Sequence, residues 1–454
     1  MTKINIKESV EIVKKLKKIM SKQDNRAFNR RKSGIDQKTF LLIFTTYACS
    51  TIKPTLEGLA LKCQEIQNGL SFTKQALLKR LPQGRKALEN LLGDVISQNI
   101  TYKTINKKSA VVFEQFSSVD VTDATTVSLP DKLARCHLGL GGTNSKSALK
   151  IQATYDVKNK ELKKVSIRSS ARENDASYME EIIEMAEPGS LTITDLGYYS
   201  VSGFQKIATK GAYFISKIKS NTVIYNENGE IINLTQVLKC KDFVDMQVSI
   251  RGDCRKISMS LRLCGLKLPQ KAYAKRLRNA NKAAKQKNKR LSKEKKERLK
   301  WILVITNVPQ DMLCCEAVCE VYRIRWQIEI IFKAWKSHFS IDKFNTIGKN
   351  YLDCLLYGKL IAITVLTSMH SRLHTAVCNA DGNGVSIYRF MKNMVANMGI
   401  ILCYLVQIST LYEVESYIYR ITRASLIEKR NRLTSEQSIS SFDVPADSSF
   451  CFVS

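Results

Sequence analysis

Residues 117–130 read SSVDVTDATTVSLP. Val119, Val121, Thr122, Thr125, Thr126 and Val127 favour a pleated strand, and Pro130 closes the run. Similar runs follow at 148–157 (ALKIQATYDV) and 161–170 (ELKKVSIRSS). A helical pattern over Ala176–Ala186 leads to a short buried strand, LTITD, at 191–195. A second helix, the strand GAYFISKIK (211–219) and the strand WILVIT (301–306) complete the set. Strands alternating with helices predict an α/β core.

Outward from this core the period changes. Residues 1–110 carry apolar residues at helical spacing, with turns at Gly34, Pro54 and Asn68-Gly69, and predict a helical N-terminal DNA-binding domain. Within it, LEGLALKCQEIQNGLSFTKQALLKRL (56–81) fits helix, turn, helix, with Ser71 or Thr73 as cap and Lys74, Lys79 and Arg80 on the second helix. A DNA-reading helix and a plain helical hairpin fit it equally. The core is expected over 111–220 and 301–345, interrupted by a β-rich insertion at 221–300. A helical C-terminal domain over 346–428 and a flexible polar tail over 429–454 follow.

The charge balance narrows the partner. The 454 residues hold 72 Lys and Arg against 41 Asp and Glu, a net charge of +31. With 44% hydrophobic residues the chain has material for cores, so a disordered polycation is excluded and a polyanion is the expected partner. Residues 271–300 alone carry 14 Lys or Arg and 2 Glu, a density suited to phosphate backbones. The 13 cysteines are scattered and form no CxxC pair. Cys314, Cys315 and Cys319 read as small buried hydrophobes in a reducing compartment. His370 and His374 lack a third ligand and read as structural. The apolar stretch 351–369 is interrupted by Asp353 and Lys359, so no membrane span is expected. A cytoplasmic protein is the reading.

The chemistry concentrates in VYRIRWQIEIIFKAWKSHF, residues 321–339. Taken as one continuous helix, Tyr322, Arg325, Glu329 and Lys336 fall within an arc of roughly 60°. Ile324, Ile328, Ile331, Phe332 and Trp335 form the apolar stripe beside it. An i, i+4 ion pair between Arg325 and Glu329 accounts for two of the four polar residues. A carboxylate for a metal ion, flanked by cations and a phenol for phosphates, accounts for all four.

Asp123 lies within the opening strand, and Asp195 ends the strand LTITD. Each alone fits a turn role, with Asp120 and Asp131 as ordinary neighbours of Asp123. Converging with Glu329 on one sheet edge, they make a set of three carboxylates able to hold two Mg²⁺ ions for phosphodiester chemistry.

These stretches resemble DDE transposases of the insertion-sequence-four type. DATTVSLPDKL (123–133) with GLGGTNSKSALKIQATYDV (139–157) resembles the family's first-Asp block. TDLGYYSVSGFQKI (194–207) resembles its second-Asp block. Tyr322, Arg325, Glu329 and Lys336 meet its Tyr-x2-Arg-x3-Glu-x6-Lys signature, and WILVITNVP (301–309) resembles the strand that re-enters the core after the insertion. The resemblance implies a ribonuclease-H-like fold with Asp123, Asp195 and Glu329 as catalytic ligands of two Mg²⁺ ions, which Mn²⁺ replaces. It implies DNA contacts from Tyr322, Arg325 and Lys336, and from Trp301 stacked on a flipped base; Trp326 and Trp335 are expected to pack. It implies binding of terminal inverted repeats, cleavage, hairpin formation, strand transfer to target DNA, and a homodimer holding two ends. A ribonuclease-H-like nuclease that never joins, or a catalytically silent DNA-binding remnant, are the other readings. The basic residues of the N-terminal region match no known end-binding contact one by one.

Overall fold

A computed structural model describes residues 6–427, other than 23–27, 29–33, 52, 69, 102–110, 142–144, 253–257, 287, 346–347, 382–383 and 408. The expected tail at 429–454 lies outside the described residues. The described residues form two compact units, 6–101 with 124–173 and 328–427, and 111–123 with 174–327. The helical segments expected as separate N- and C-terminal domains therefore share one unit.

In the first unit α1 (Lys7–Lys22), α2 (Gln37–Thr45), α3 (Tyr47–Ser50), α4 (Leu56–Ile66) and α5 (Lys74–Thr101) open the chain. α1 is amphipathic: Val10, Val13, Leu16 and Met20 are buried at three- to four-residue spacing. Thr73 caps α5, its Oγ1 accepting from the Ala76 N–H at 3.3 Å. α5 runs 28 residues through Pro82, longer than a compact DNA-reading helix. Lys74 pairs with Glu57 at 2.6 Å, the Arg80 guanidinium lies 5.9 Å from the Phe28 ring centroid, and Lys79 is exposed.

The second unit begins with α6 (Val111–Glu114), and strand β1 (Val119–Leu129) starts there and ends in the first unit. The first unit adds β2 (Ser147–Asp156) and β3 (Glu161–Arg168), ordered β3-β2-β1, with β2 and β3 antiparallel. The second adds α7 (Met179–Met185), β4 (Leu191–Thr194), α8 (Val201–Thr209), β5 (Tyr213–Lys217), β6 (Ile224–Tyr225), α9 (Leu234–Cys240), β7 (Phe243–Arg251), β8 (Ser258–Lys267), α10 (Gln270–Gln286), α11 (Lys293–Arg298), β9 (Trp301–Thr306) and α12 (Cys315–Arg323). Its strand order is β1-β4-β5-β9-β8-β7-β6. β4 runs parallel to β1 and to β5; β9, β8, β7 and β6 continue antiparallel. The expected α/β class is met by this mixed sheet. The insertion does not stand apart, because β8 pairs with β9 along six residues, from Arg262↔Thr306 to Lys267↔Trp301. Phe204 and Phe214 stack at 4.4 Å within the core of this unit.

The remaining helices are α13 (Trp326–His338), α14 (Lys349–Asp381), α15 (Ile387–Val395), α16 (Met398–Leu405) and α17 (Leu411–Ala424). Among the described residues, Lys349–Ala380 of α14 is long and apolar enough by length and composition to cross a bilayer, but 89% of its most apolar stretch is buried inside the protein. It behaves as a core helix. Gly358 lets it approach α2, since a Cβ there would meet the Phe44 carbonyl oxygen at 2.2 Å. The interrupting Lys359 is also buried, and its ammonium caps the end of α13 by donating to the Phe339 and Ser340 carbonyls at 2.6 and 3.2 Å.

Candidate active site

Parallel register places two carboxylates side by side. β1 and β4 align Val121 with Ile193 and Thr122 with Thr194, so Asp123 and Asp195 are the next pair along. Neighbouring strands lie about 4.8 Å apart. Asp195 follows the last residue of β4, at the strand's carboxyl end, where α/β sheets commonly present functional groups.

Each carboxylate has a partner from the Tyr-Arg stretch. The Tyr322 hydroxyl donates to Asp195 Oδ1 at 3.2 Å, and Arg325 Nη1 donates to Asp123 Oδ2 at 3.0 Å. All four residues belong to the second unit. Burial, then the negative charge of Asp195, raise the Tyr322 phenol well above its usual range, so it stays a donor at neutral pH. The Lys217 ammonium lies 5.4 Å from the Tyr322 ring centroid. Asp123 and Asp195 are both half-buried, within reach of solvent.

The continuous-helix reading needs correction. α12 ends at Arg323 and α13 starts at Trp326. Between them the Arg325 N–H bonds the Tyr322 carbonyl at 3.2 Å and the Gln327 N–H bonds the Ile324 carbonyl at 2.8 Å, three-residue steps that change the helix course. A single angular arc therefore does not describe the signature. Tyr322 and Arg325 sit on the first segment and its turn. Glu329 lies in the first turn of α13 and Lys336 in its last, within the residues of the first unit. The expected apolar stripe holds: Ile324, Ile328, Ile331, Phe332 and Trp335 are all buried.

The tryptophans divide differently from expectation. Trp301 is 2% exposed, inside the core of the second unit, so its face is covered by protein rather than open to a base. The Arg276 guanidinium donates to its carbonyl at 2.8 Å. Trp326, expected to pack, is 63% exposed immediately after Arg325. At about 100° per residue Trp326 falls roughly 40° past Tyr322, opposite the buried stripe even on a continuous helix. Trp335 packs as expected.

The basic segment of the insertion is helical: α10 buries no residue, and neither does α11. Lys285, Lys289, Arg290 and Lys296 line one cleft beside Asn281 and Asn288. His370 and His374 both face the Val385 carbonyl, at 2.7 and 3.1 Å, which suits the structural role read for them.

The family model described as "Transposase DDE domain" matches residues 114–365, just over half of the chain. The chain belongs to this family. The matched stretch contains every residue singled out above in β1, β4, α12 and α13. The chain is 27% identical over 444 residues to the transposase for insertion sequence element IS1151 of Clostridium perfringens, covering 93% of this chain and 90% of that one. It is 29% identical over 321 residues to the transposase for IS231F of Bacillus thuringiensis subsp. israelensis, covering 66% of each. These are insertion-sequence transposases of the type resembled in the sequence. A solved piggyBac transposase synaptic complex with hairpin DNA is similar at a TM-score of 0.46 and 11% identity, covering 96% of this chain and 88% of that one.

Proposed function

We propose that this member of the family binds the terminal inverted repeats of its own element, cleaves DNA there, and joins the ends to target DNA. The carrying observation is the register pair Asp123 and Asp195, each held by one residue of the Tyr-Arg-Glu-Lys signature. Within the second unit the all-parallel strand order β1-β4-β5 supports a ribonuclease-H-like core.

The donor set suits a hard cation, because carboxylate oxygens prefer Mg²⁺ or Mn²⁺ to softer metals. Asp123 and Asp195 would hold two such ions, with Glu329 as the third ligand on the strength of the signature spacing. When bound, the ions activate the attacking oxygen and stabilise the departing one. The protein's own residues do the rest. Arg325, on releasing Asp123, turns its guanidinium to a phosphate, and its planar fork suits that partner. Tyr322 keeps its proton and orients Asp195. Lys336 and the cleft around Lys285 and Lys296 hold further phosphates, and Trp326 offers an exposed ring for a base.

The reaction order is attack by water, attack by the freed 3′-hydroxyl on the opposite strand, hairpin opening, and strand transfer. Two copies of the chain hold two ends. Labelled end DNA incubated with protein, Mg²⁺ and a plasmid target distinguishes the alternatives. Joined product, with a transient hairpin, supports the reading; cut ends that never join indicate a nuclease.

A further inference from the structure

Two thiols and a carboxylate meet where the insertion packs on α12, with a third thiol one helix turn away. Asp245 of β7 lies directly opposite Cys264 of β8 in the antiparallel register. Cys315 and Cys319 are four residues apart on α12, so they share one helix face. Cys315 Sγ donates to the Val244 carbonyl of β7 at 3.3 Å, which seats α12 on that strand. An oxygen of Asp245 and the sulfurs of Cys264 and Cys315 all lie within 4.8 Å of one another. The three cysteines are buried, at 1% exposure or less.

Cysteines that only fill apolar space need no anion beside them. Here Asp245 is held in place: Arg262, itself 3% exposed, donates to it through Nε at 3.1 Å and Nη2 at 2.6 Å. Arg262 Nη1 is fixed in turn by the Val308 and Leu313 carbonyls at 2.9 and 3.0 Å. Burying such a pair costs desolvation, so its presence beside three sulfurs calls for a reason.

We propose that Cys264, Cys315, Cys319 and Asp245 form a tetrahedral site for zinc. The Cys-x3-Cys spacing on α12 falls within the range of zinc ligands, and the second pair comes from facing strands. Zn–S bonds of about 2.3 Å require sulfurs about 3.8 Å apart, which the Cys264 and Cys315 pair, within 4.8 Å, can meet, with Cys319 turning in from the next turn of α12. On binding, three S–H groups ionise and three protons leave to solvent. Three thiolates and one carboxylate against Zn²⁺ and the Arg262 cation leave a single net negative charge. The ion would tie α12, whose last turn carries Tyr322, to the β7–β8 hairpin. Thiolates select zinc over Mg²⁺, so this site is chemically separate from Asp123 and Asp195.

The test uses the full chain titrated with Co²⁺, whose thiolate charge-transfer absorption reports sulfur ligation alone. One Co²⁺ per chain with an intense thiolate band, three protons released and displacement by Zn²⁺ is the expected result. Cys264→Ser and Cys315→Ser should each reduce the band to background, whereas Cys136→Ser, at an exposed position, should retain it. A wild-type protein without the band overturns the proposal, and so does a band that survives in the Cys264→Ser/Cys315→Ser double variant. Should the variants not fold, the wild-type band and its proton count decide alone.

Discussion

Arg325 Nη1 lies 3.0 Å from Asp123 Oδ2, so the cation that the signature assigns to phosphate pairs with a candidate metal-binding carboxylate instead. The pair is only partly buried, with side-chain exposures of 11% and 22%. A guanidinium in that position would orient Asp123 before metal and DNA arrive. On the proposed function, exchange of this pair for a phosphate contact would couple DNA binding to site assembly. Arg325→Ala should weaken binding to end DNA and reduce the slope of log affinity against log salt by about one. Binding isotherms at several salt concentrations check this, and an unchanged slope means that Arg325 serves Asp123 alone.

Tyr322→Phe removes the hydroxyl that donates to Asp195 Oδ1 and leaves the ring in place. Such a bond contributes about 1 kcal/mol to stability. The variant should fold with a small loss of melting temperature and cut DNA more slowly. A cutting rate equal to wild type would remove Tyr322 from the site.

The two tryptophans should separate cleanly. Trp301 is a core residue here, and Trp301→Ala should cost about 3–5 kcal/mol of stability. Trp326→Ala removes an exposed ring and should leave the melting temperature unchanged. Its cost should appear in DNA affinity, about 1–3 kcal/mol if a base stacks there. A thermal melt and a binding isotherm on each variant test both statements. The opposite pattern would return the base-contacting role to Trp301.

Glu161, 6% exposed at the start of β3, has its carboxyl raised to about 8, chiefly by burial and despite the nearby Arg372. The folded chain therefore holds a proton that the unfolded chain releases near the ordinary carboxylate value of about 4.3. Between these values stability falls as pH rises, and above about 8 the penalty is fully present. Glu161→Gln should flatten that part of the stability profile and stabilise the protein at pH 8 more than at pH 5. Denaturant midpoints across this range decide it, and parallel profiles would place the slope elsewhere.

What the chain discloses before folding depends on distance along it. Asp123 and Asp195 were legible because each belongs to a short strand pattern, and the buried stripe from Ile324 to Trp335 because its period is local. The break between Arg323 and Trp326 was not, since nothing in IRW forbids a helix, and neither was the pairing of Arg325 with Asp123, 202 residues away. Cys264 and Asp245 could not be joined to Cys315 and Cys319 by spacing, because strand register and helix docking bring them together. The insertion was legible as a break in pattern, but its continuation of the sheet through β8 and β9 rests on pairing across more than thirty residues.

The central claim is that Asp123 and Asp195, with Glu329, carry metal-dependent cutting. The most direct measurement incubates purified protein with Mg²⁺ and a labelled duplex spanning one element end, beside Asp123→Asn, Asp195→Asn and Glu329→Gln. A Mg²⁺-dependent nick at the inverted-repeat boundary, lost in all three variants while DNA binding persists, is the predicted result. A variant that binds and still nicks at the wild-type rate would contradict the account.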